Sequence, residues 1–255
     1  MLNQQLDTLL PYGMVATKQW LMANGMSRHS LDNALKSKKL NSLATGVYAR
    51  PGVPVDWLGV VSSLQRMMTE TVLLGGVSAL EVSGLGHYVS DTNAKTIHLY
   101  SSAKQPLWLN KIKFASRFEW HSTKKIWPLT VLENTHYQLE HRWREDLPAL
   151  KFSCPEKACL EMLMSVPSQI SFDHADELMQ GMTSLSPNKL QALLGACLHI
   201  KVKRLFFWLA QRQGYAWFKK LKVKDYDLGK GKRVVALAGK LDSTYLITVP
   251  EHLFG

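Results

Sequence analysis

Turn-forming residues divide the first part of this 255-residue chain into short segments. Proline, glycine and asparagine cluster at residues 11–13, 24–25 and 51–54, and these residue types end helices or reverse the chain. The last cluster is typical of a linker, because the residue before a proline disfavours a continued helix. The pattern predicts a unit of short helices that ends in a brief extended region.

The segments within residues 1–50 predict three helices and a wing. Residues 2–10 suit a first helix, and Thr17 and Ser27 can cap two further helices that run to about residues 23 and 37. A helix, a tight turn with glycine and a second helix form the helix-turn-helix pattern, whose second member enters the major groove of DNA. Residues 40–50 are two extended runs around a polar tip, which is the pattern of a wing.

The third helix is predicted to have two different faces. At 100° per residue, its apolar face carries Leu31, Ala34, Leu35 and the stem of Lys38. Its polar face offers groups that can hydrogen-bond base edges. The residues predicted to contact bases are Arg28, His29, Asn33 and Lys36. Those predicted to contact the DNA backbone are Lys18, Ser27, Lys39 and Arg50. A three-helix packing unit with a solvated face is the alternative.

Basic residues exceed acidic ones by 31 to 20, which gives a net charge of +11 and favours polyanionic partners. Residues 201–233 hold eleven basic and two acidic residues. This segment predicts a second basic surface, made of Lys201, Lys203, Arg204, Arg212, Lys219, Lys220, Lys230, Lys232 and Arg233. No apolar run reaches the roughly 18 residues of a membrane span, and the N-terminus lacks a signal-peptide pattern. We therefore expect a cytoplasmic protein without a membrane partner.

The sequence predicts a mixed α/β (α+β) fold in two domains. Residues 1–53 form the winged helix-turn-helix, and residues 54–255 form a larger α/β region with a sub-boundary near 148–154. Helices are predicted over residues 54–68 and through most of 155–213. Strands are predicted at residues 96–100, 129–132, 233–238 and 244–249, the last two joined by a turn at 239–242.

The cysteines Cys154, Cys159 and Cys197 are expected to be reduced, because their number is odd and a signal-peptide pattern is missing. Cys154 and Cys159 lack metal-ligand spacing, and Cys197 with His199 is two ligands short of a zinc site, so buried structural cysteines are favoured. Acidic residues and a histidine at 173–177 could suggest a metal cluster, but acids in the first turn of a helix fit better. The aromatic run at 206–208 and 217–218 is read as helix core rather than as a platform for single-stranded bases. We expect neither a metal nor a cofactor.

Catalytic motifs are missing from the sequence. None of the twenty acidic residues is followed two positions later by lysine, as restriction-type nucleases require. The carboxylate set that holds the metals of a nucleotidyltransferase is also missing. Residues 229–232 do not match a P-loop, and a solvated hairpin loop is favoured there over a phosphate-binding turn. We expect a non-enzymatic protein, with an uncharacterised nucleic-acid enzyme as the disfavoured alternative.

Several short motifs resemble those of the AbiEi family of antitoxins from type IV toxin–antitoxin systems. In the first half they are GVY at residues 46–48, LGGVSALE at 74–81 and GLGHY at 84–88. In the second half they are CPEKA at 154–158, ADELM at 175–179, KVKRLF at 201–206, DLGKGKR at 227–233 and ITVP at 247–250. The similarity extends over most of the chain.

The resemblance implies a fold and two functions. An N-terminal winged helix would bind inverted-repeat operator DNA and repress the antitoxin–toxin operon. The remainder would oppose a toxin similar to a nucleotidyltransferase, without a stable complex. The alternative is an RNA- or nucleotide-binding module in which the basic segment at 201–233 is primary.

Overall fold

The computed structural model describes residues 2–86 and 95–254, and it confirms the mixed α/β fold class. Its helices are α1 Leu2–Leu9, α2 Lys18–Ala23, α3 Arg28–Lys36, α4 Trp57–Met67, α5 Gly76–Val82, α6 Leu129–Leu132, α7 Pro155–Met164, α8 Phe172–Gly181, α9 Pro187–Ala196 and α10 Ile200–Gln213. Its strands are β1 Val15–Thr17, β2 Asn41–Ala44, β3 Val47–Ala49, β4 Val72–Leu74, β5 Thr96–Ser101, β6 Arg117–Ser122, β7 Gln138–His141, β8 Leu150–Ser153, β9 Lys240–Asp242 and β10 Ile247–Val249.

The chain divides into two compact units. The first takes in the described residues of Met1–Leu73, Asp91–His121 and Glu140–Lys151. The second takes in those of Leu74–Ser90, Ser122–Leu139 and Phe152–Gly255. The domain boundaries at 53/54 and near 148–154 stay predictions about which pieces fold independently.

The first unit begins with a winged-helix arrangement. Strand β3 lies between β1 and β2 in a three-stranded antiparallel sheet, in which Val15 pairs with Ala49 and Thr17 with Val47. The element order is therefore helix, strand, helix, helix and hairpin. Strand β1 was not predicted, because three residues are too few to show an alternating pattern.

The two helix caps predicted from the sequence are confirmed. Thr17 Oγ1 accepts a hydrogen bond from the Trp20 amide, and Ser27 Oγ accepts one from the Ser30 amide. Both bonds satisfy amides that a helix start leaves unpaired. Helix α3 ends at Lys36, so Lys38 lies beyond it with a positive φ of 54° and an exposed side chain. The predicted place of Lys38 on the apolar face is wrong for this reason.

Apolar residues from all three short helices form the core of the winged helix. Leu6 of α1, Leu21 of α2, and Leu31 and Ala34 of α3 are at most 1% exposed. Helix α4 belongs to the same unit, because the Val15 amide donates to Ser63 Oγ at 2.9 Å. Its predicted range, 54–68, is close to the observed one, and Asp56 caps it.

Five further strands form a sheet in the order β6-β5-β4-β8-β7. Strands β4 and β8 are parallel, with Leu74 opposite Phe152. The strand predicted at 96–100 is confirmed as β5. The predicted break near 148–154 contains strand β8.

Helices α7 to α10 confirm the helical prediction for residues 155–213 and carry the core of the second unit. Phe206 and Phe207 of α10 are 0% exposed and Trp217 is 4% exposed, so the aromatic run is core as predicted. Helix α7 adds a fully buried ion pair, in which Lys157 Nζ lies 2.8 Å from Glu161 Oε1. Pairing is what makes two buried charges tolerable.

Two strand predictions in the second unit are wrong. Residues 129–132 form the single-turn helix α6, whose buried residues Val131 and Leu132 are adjacent rather than alternating. Tertiary packing here overrides the β propensity of the β-branched residues. Strand β9 occupies Lys240–Asp242, where a turn was predicted, and pairs with β10. Residues 233–238 do not form a strand; Arg233 makes an isolated bridge to Ile247.

Candidate nucleic-acid interface

Helix α3 presents a polar face to solvent while its apolar face is buried. Leu31 and Ala34 are 0% exposed, whereas Arg28, His29, Asn33 and Lys36 are all exposed. The arrangement follows from the spacing of the apolar residues, because positions three and four apart share one side of a helix. The structure therefore brings together on one surface the four residues predicted to contact bases.

A hydrogen bond within α3 orients the asparagine on this face. Asn33 Nδ2 lies 2.9 Å from His29 Nε2, so the amide donates and the neutral ring accepts. Among the described residues, the second Nδ2 hydrogen and the oxygen Oδ1 of Asn33 have no further hydrogen-bond partner. An asparagine needs one donor and one acceptor to pair with an adenine edge, and both are present here.

The predicted backbone-contacting residues differ in their surroundings. Lys39 is exposed, and Lys18 is half-buried at the start of α2, where its amide donates to the Gly46 carbonyl of the wing turn at 2.8 Å. Ser27 is exposed, and its hydroxyl is hydrogen-bonded to Ser30 Oγ at 2.9 Å in addition to its capping role. These three stay predictions as phosphate contacts.

Arg50 is a correction to the predicted interface. Its side chain is 9% exposed, and its guanidinium donates to Asp7 Oδ1 and, at 2.8 Å, to the hydroxyl oxygen Oη of Tyr12. The guanidinium carbon also lies 3.7 Å from the centre of the Tyr12 ring. Arg50 follows β3 directly, and this position turns it toward the C-terminal part of α1 instead of toward solvent. We leave it out of the interface.

The second basic surface is smaller than the sequence predicts. Lys203 is 5% exposed and Arg204 is 1% exposed. The Arg204 guanidinium donates to four carbonyl oxygens, those of Leu228, Gly229, Gly231 and Leu246, at 2.6–3.0 Å. The glycine-rich turn at 229–232 therefore directs carbonyls at an internal arginine. Residues 229–232 are nevertheless exposed to solvent, as expected of the solvated loop predicted there.

Two further cations of this segment are engaged within the second unit. Lys201 Nζ donates to the carbonyls of Met164 and Val166 at 2.8 and 2.6 Å, and burial lowers the pKa of this ammonium. Arg212 Nε lies 3.3 Å from Asp176 Oδ1 and its guanidinium also donates to the Leu253 carbonyl. Both cations hold neighbouring segments in place.

The remaining members of the predicted second surface are exposed. They are Lys219, Lys220, Lys230, Lys232 and Arg233. The pKa of nearby His199 is lowered, first by burial and then by the charges of Lys201, Arg233 and Lys125. A role for the exposed cations in binding stays a prediction.

The loop between β5 and β6, in the first unit, is a further basic region that was not predicted. Residues 95–118 contain five basic residues and no acidic ones, and the exposed Lys104, Lys111 and Lys113 lie in the loop between β5 and β6. The sequence does show this local excess of basic residues, but it is smaller than the excess at 201–233.

The cysteine prediction is confirmed. Cys154, Cys159 and Cys197 are unpaired and buried, and desolvation raises the pKa of each thiol, to about 12 for Cys154. Within the described ranges, no group of three or more His, Cys, Asp or Glu side chains could hold a metal ion. Asp173 lies in the first turn of α8 as predicted, and it pairs with His252 at 2.6 Å. No helix in residues 2–86 and 95–254 is long and apolar enough to cross a membrane.

The fold and this surface define a winged-helix protein. Comparison with protein families then identifies the particular one: the chain belongs to the AbiEi antitoxin family of type IV toxin–antitoxin transcriptional regulators. The model described as "Transcriptional regulator, AbiEi antitoxin N-terminal domain" matches residues 2–91, and that described as "Transcriptional regulator, AbiEi antitoxin, Type IV TA system" matches residues 94–250. The resemblance inferred from short motifs is confirmed. The family is one of transcriptional regulators rather than of enzymes.

A solved structure shares the fold. The crystal structure of the RV2827C protein from Mycobacterium tuberculosis matches with a TM-score of 0.51 and 17% sequence identity, and the match covers 92% of this chain and 85% of that one. No curated protein sequence matches this chain significantly. His87 and Tyr88 of the GLGHY motif lie outside the described residues.

Proposed function

We propose that this protein is a cytoplasmic antitoxin that binds an inverted-repeat operator and represses its own operon. The observation that carries the proposal is the two-faced helix α3, whose core face is buried while Arg28, Asn33 and Lys36 are exposed. In a winged helix the corresponding helix enters the major groove, where arginine or lysine pairs with guanine and asparagine with adenine. Lys18, Ser27 and Lys39 supply the backbone contacts that fix its position.

The second half of the proposal concerns the toxin. We infer from family membership that the chain opposes a toxin similar to a nucleotidyltransferase, without forming a stable complex with it. Expression of the neighbouring toxin gene should stop growth, and co-expression of this protein should restore it. The two proteins should nevertheless elute separately in size-exclusion chromatography. A stable co-eluting complex would contradict this half of the proposal.

Operator binding is tested with a triple variant of the polar face of α3. In Arg28→Ala/Asn33→Ala/Lys36→Ala, binding to the promoter fragment of the operon should fall to the level of random DNA, and a promoter reporter should be derepressed. The matched control is Lys219→Ala/Lys220→Ala, which removes the same number of positive charges from exposed sites in the second unit. Operator binding by the triple variant equal to that of the wild type would contradict the proposal.

A second candidate is an RNA- or nucleotide-binding module that uses the exposed cations of residues 219–233. Seven exposed basic residues favour it, and the internal engagement of Lys201, Arg204 and Arg212 weakens it. The same two variants separate the candidates. If Lys219→Ala/Lys220→Ala loses structured-RNA binding while operator binding is absent in the wild type, the second candidate replaces the first.

A further inference from the structure

The loop between β5 and β6 is held against the wing sheet by apolar contacts. Trp108 and Ile112 pack against the buried cluster of Val15, Val47 and Ala49, which belong to β1 and β3. Leu109 is 3% exposed, and the amide of Lys111 donates to the Trp108 carbonyl at 3.0 Å. The apolar residues thus fix the loop in place, while its lysines remain exposed.

Lys111 lines two cavities that border the wing. A cavity of about 890 Å³ is lined by Lys111, Lys113 and the exposed wing residues Asn41 and Leu43. A second of about 650 Å³ is lined by Lys111 together with Lys18 and the wing-turn residue Gly46. The loop therefore lies next to both the wing and the start of α2, where Lys18 supplies a DNA-backbone contact in the proposed function.

The surroundings of these lysines are positive. Among the residues that line the two cavities, Asp56 is the sole carboxylate, and its Oδ1 already accepts the Gly59 amide at 2.8 Å. Lys113 and Lys111 are exposed, and neither has an ion-pair partner among the described residues. Two exposed ammonium groups beside a wing complement the regularly spaced phosphates of a duplex.

We propose that Lys111 and Lys113 form a phosphate-binding arm that extends the DNA interface beyond the winged helix. The partner is the sugar–phosphate backbone of double-stranded DNA next to the phosphates contacted by Lys18. This inference rests on the proposed operator-binding function. The arm adds affinity without sequence preference, because phosphates are the same at every base pair.

The test compares two double variants of the full chain in salt titrations of DNA binding. In Lys111→Ala/Lys113→Ala, the slope of log affinity against log salt should become shallower by about 1.8, since each lost phosphate contact on a duplex removes about 0.9. The loss should be equal on operator and random DNA. The control Lys104→Ala/Lys151→Ala removes two exposed charges of the same unit that line neither cavity, and its slope should match the wild type.

The outcomes separate this inference from the function on which it rests. Lys111→Arg/Lys113→Arg should restore the wild-type slope, because the charge is retained. An unchanged slope in the alanine pair, or an equal loss in the Lys104/Lys151 control, overturns the arm. If the wild type shows no preference for the operator over random DNA, the proposed function itself is overturned. Thermal melting of each variant, expected to be unchanged, excludes misfolding as the cause.

Discussion

Helix α3 and residues 201–233 both contain basic side chains, but those of α3 are exposed, whereas several in the C-terminal segment are engaged inside the protein. In α3, Arg28 and Lys36 lie on an exposed face above a buried apolar one. In the C-terminal segment the charge excess is larger, yet Arg204 is almost fully buried and Lys201 donates to backbone carbonyls. The charge of a sequence window therefore differs from the charge that a partner can reach.

The physical reason lies in what a guanidinium can do inside a protein. Arginine offers five N–H donors, and backbone carbonyls that leave regular structure need donors. Arg204 lies in α10 between the core residues Val202 and Phe206, so its side chain meets the irregular turn at 228–231 rather than water. Among the described residues, no comparable turn covers the polar face of α3, and Arg28, Asn33 and Lys36 stay exposed.

The largest expected effect is on stability, at Arg204. Arg204→Met should lower the free energy of unfolding by about 3 kcal/mol, because four backbone carbonyls lose the charged donor that Arg204 provides. Urea unfolding monitored by tryptophan fluorescence measures it. The control Lys219→Ala, at an exposed site, should change stability by less than about 0.5 kcal/mol. If both substitutions have the same small effect, Arg204 is not the internal donor described here.

Asn33→Ala tests the polar face of α3. It should reduce the discrimination between the correct and a wrong base pair at one operator position by about 1–3 kcal/mol. Its affinity for random DNA should be unchanged. Lys39→Ala is the complementary variant: it should weaken binding to all sequences alike and reduce the salt slope by about one. Gel shifts on operators with single base changes measure both. A uniform loss across sequences in Asn33→Ala would contradict a base contact.

Arg50 and Arg28 form a matched pair of arginines, one buried and one exposed. Arg50→Ala should lower the free energy of unfolding by about 1–2 kcal/mol, because it removes the hydrogen bonds to Asp7 and Tyr12. It should leave the salt slope of DNA binding unchanged. Arg28→Ala should leave the free energy of unfolding unchanged and make the salt slope of DNA binding shallower. A reduced slope in Arg50→Ala at full stability would return Arg50 to the interface.

The buried thiols predict that stability falls at alkaline pH. The pKa of Cys154 is raised from 9.0 to about 12 by burial, so the folded protein holds this proton more tightly than the unfolded chain. The contribution to stability is complete below pH 9 and is lost as the pH rises toward 12. Denaturant midpoints between pH 8 and 11 should therefore fall, and less so in Cys154→Ala. Rapid alkylation of the folded protein by iodoacetamide at pH 8 would contradict burial of the thiols.

The sequence was sufficient for elements whose pattern is long or whose caps are specific. Ser27, the spacing of Leu31 and Ala34, and the apolar runs of α7 to α10 each predicted what the structure has. It was insufficient where tertiary contacts decide. Strand β1 exists because β3 pairs with it, and residues 129–132 become a helix because Val131 and Leu132 pack side by side.

The same limit applies to the interface. Periodicity placed Arg28, His29, Asn33 and Lys36 on one exposed face, since a helix fixes relative directions locally. Arg50 could not be placed, because its partner Asp7 is 43 residues away in the sequence. The loop carrying Lys111 and Lys113 lies beside the wing through long-range packing of Trp108 and Ile112.

Lysine footprinting on the native protein identifies the surface that DNA covers. Acetylation of each lysine is measured by mass spectrometry with operator DNA, with random DNA and with no DNA. We expect operator DNA to protect Lys36 and Lys39 from acetylation, whereas Lys219, Lys220 and Lys230 should keep the reactivity that they show without DNA. The opposite result would be protection of Lys219, Lys220 and Lys230 while Lys36 and Lys39 stay unchanged. It would contradict α3 as the DNA interface and place the primary interface in the C-terminal segment.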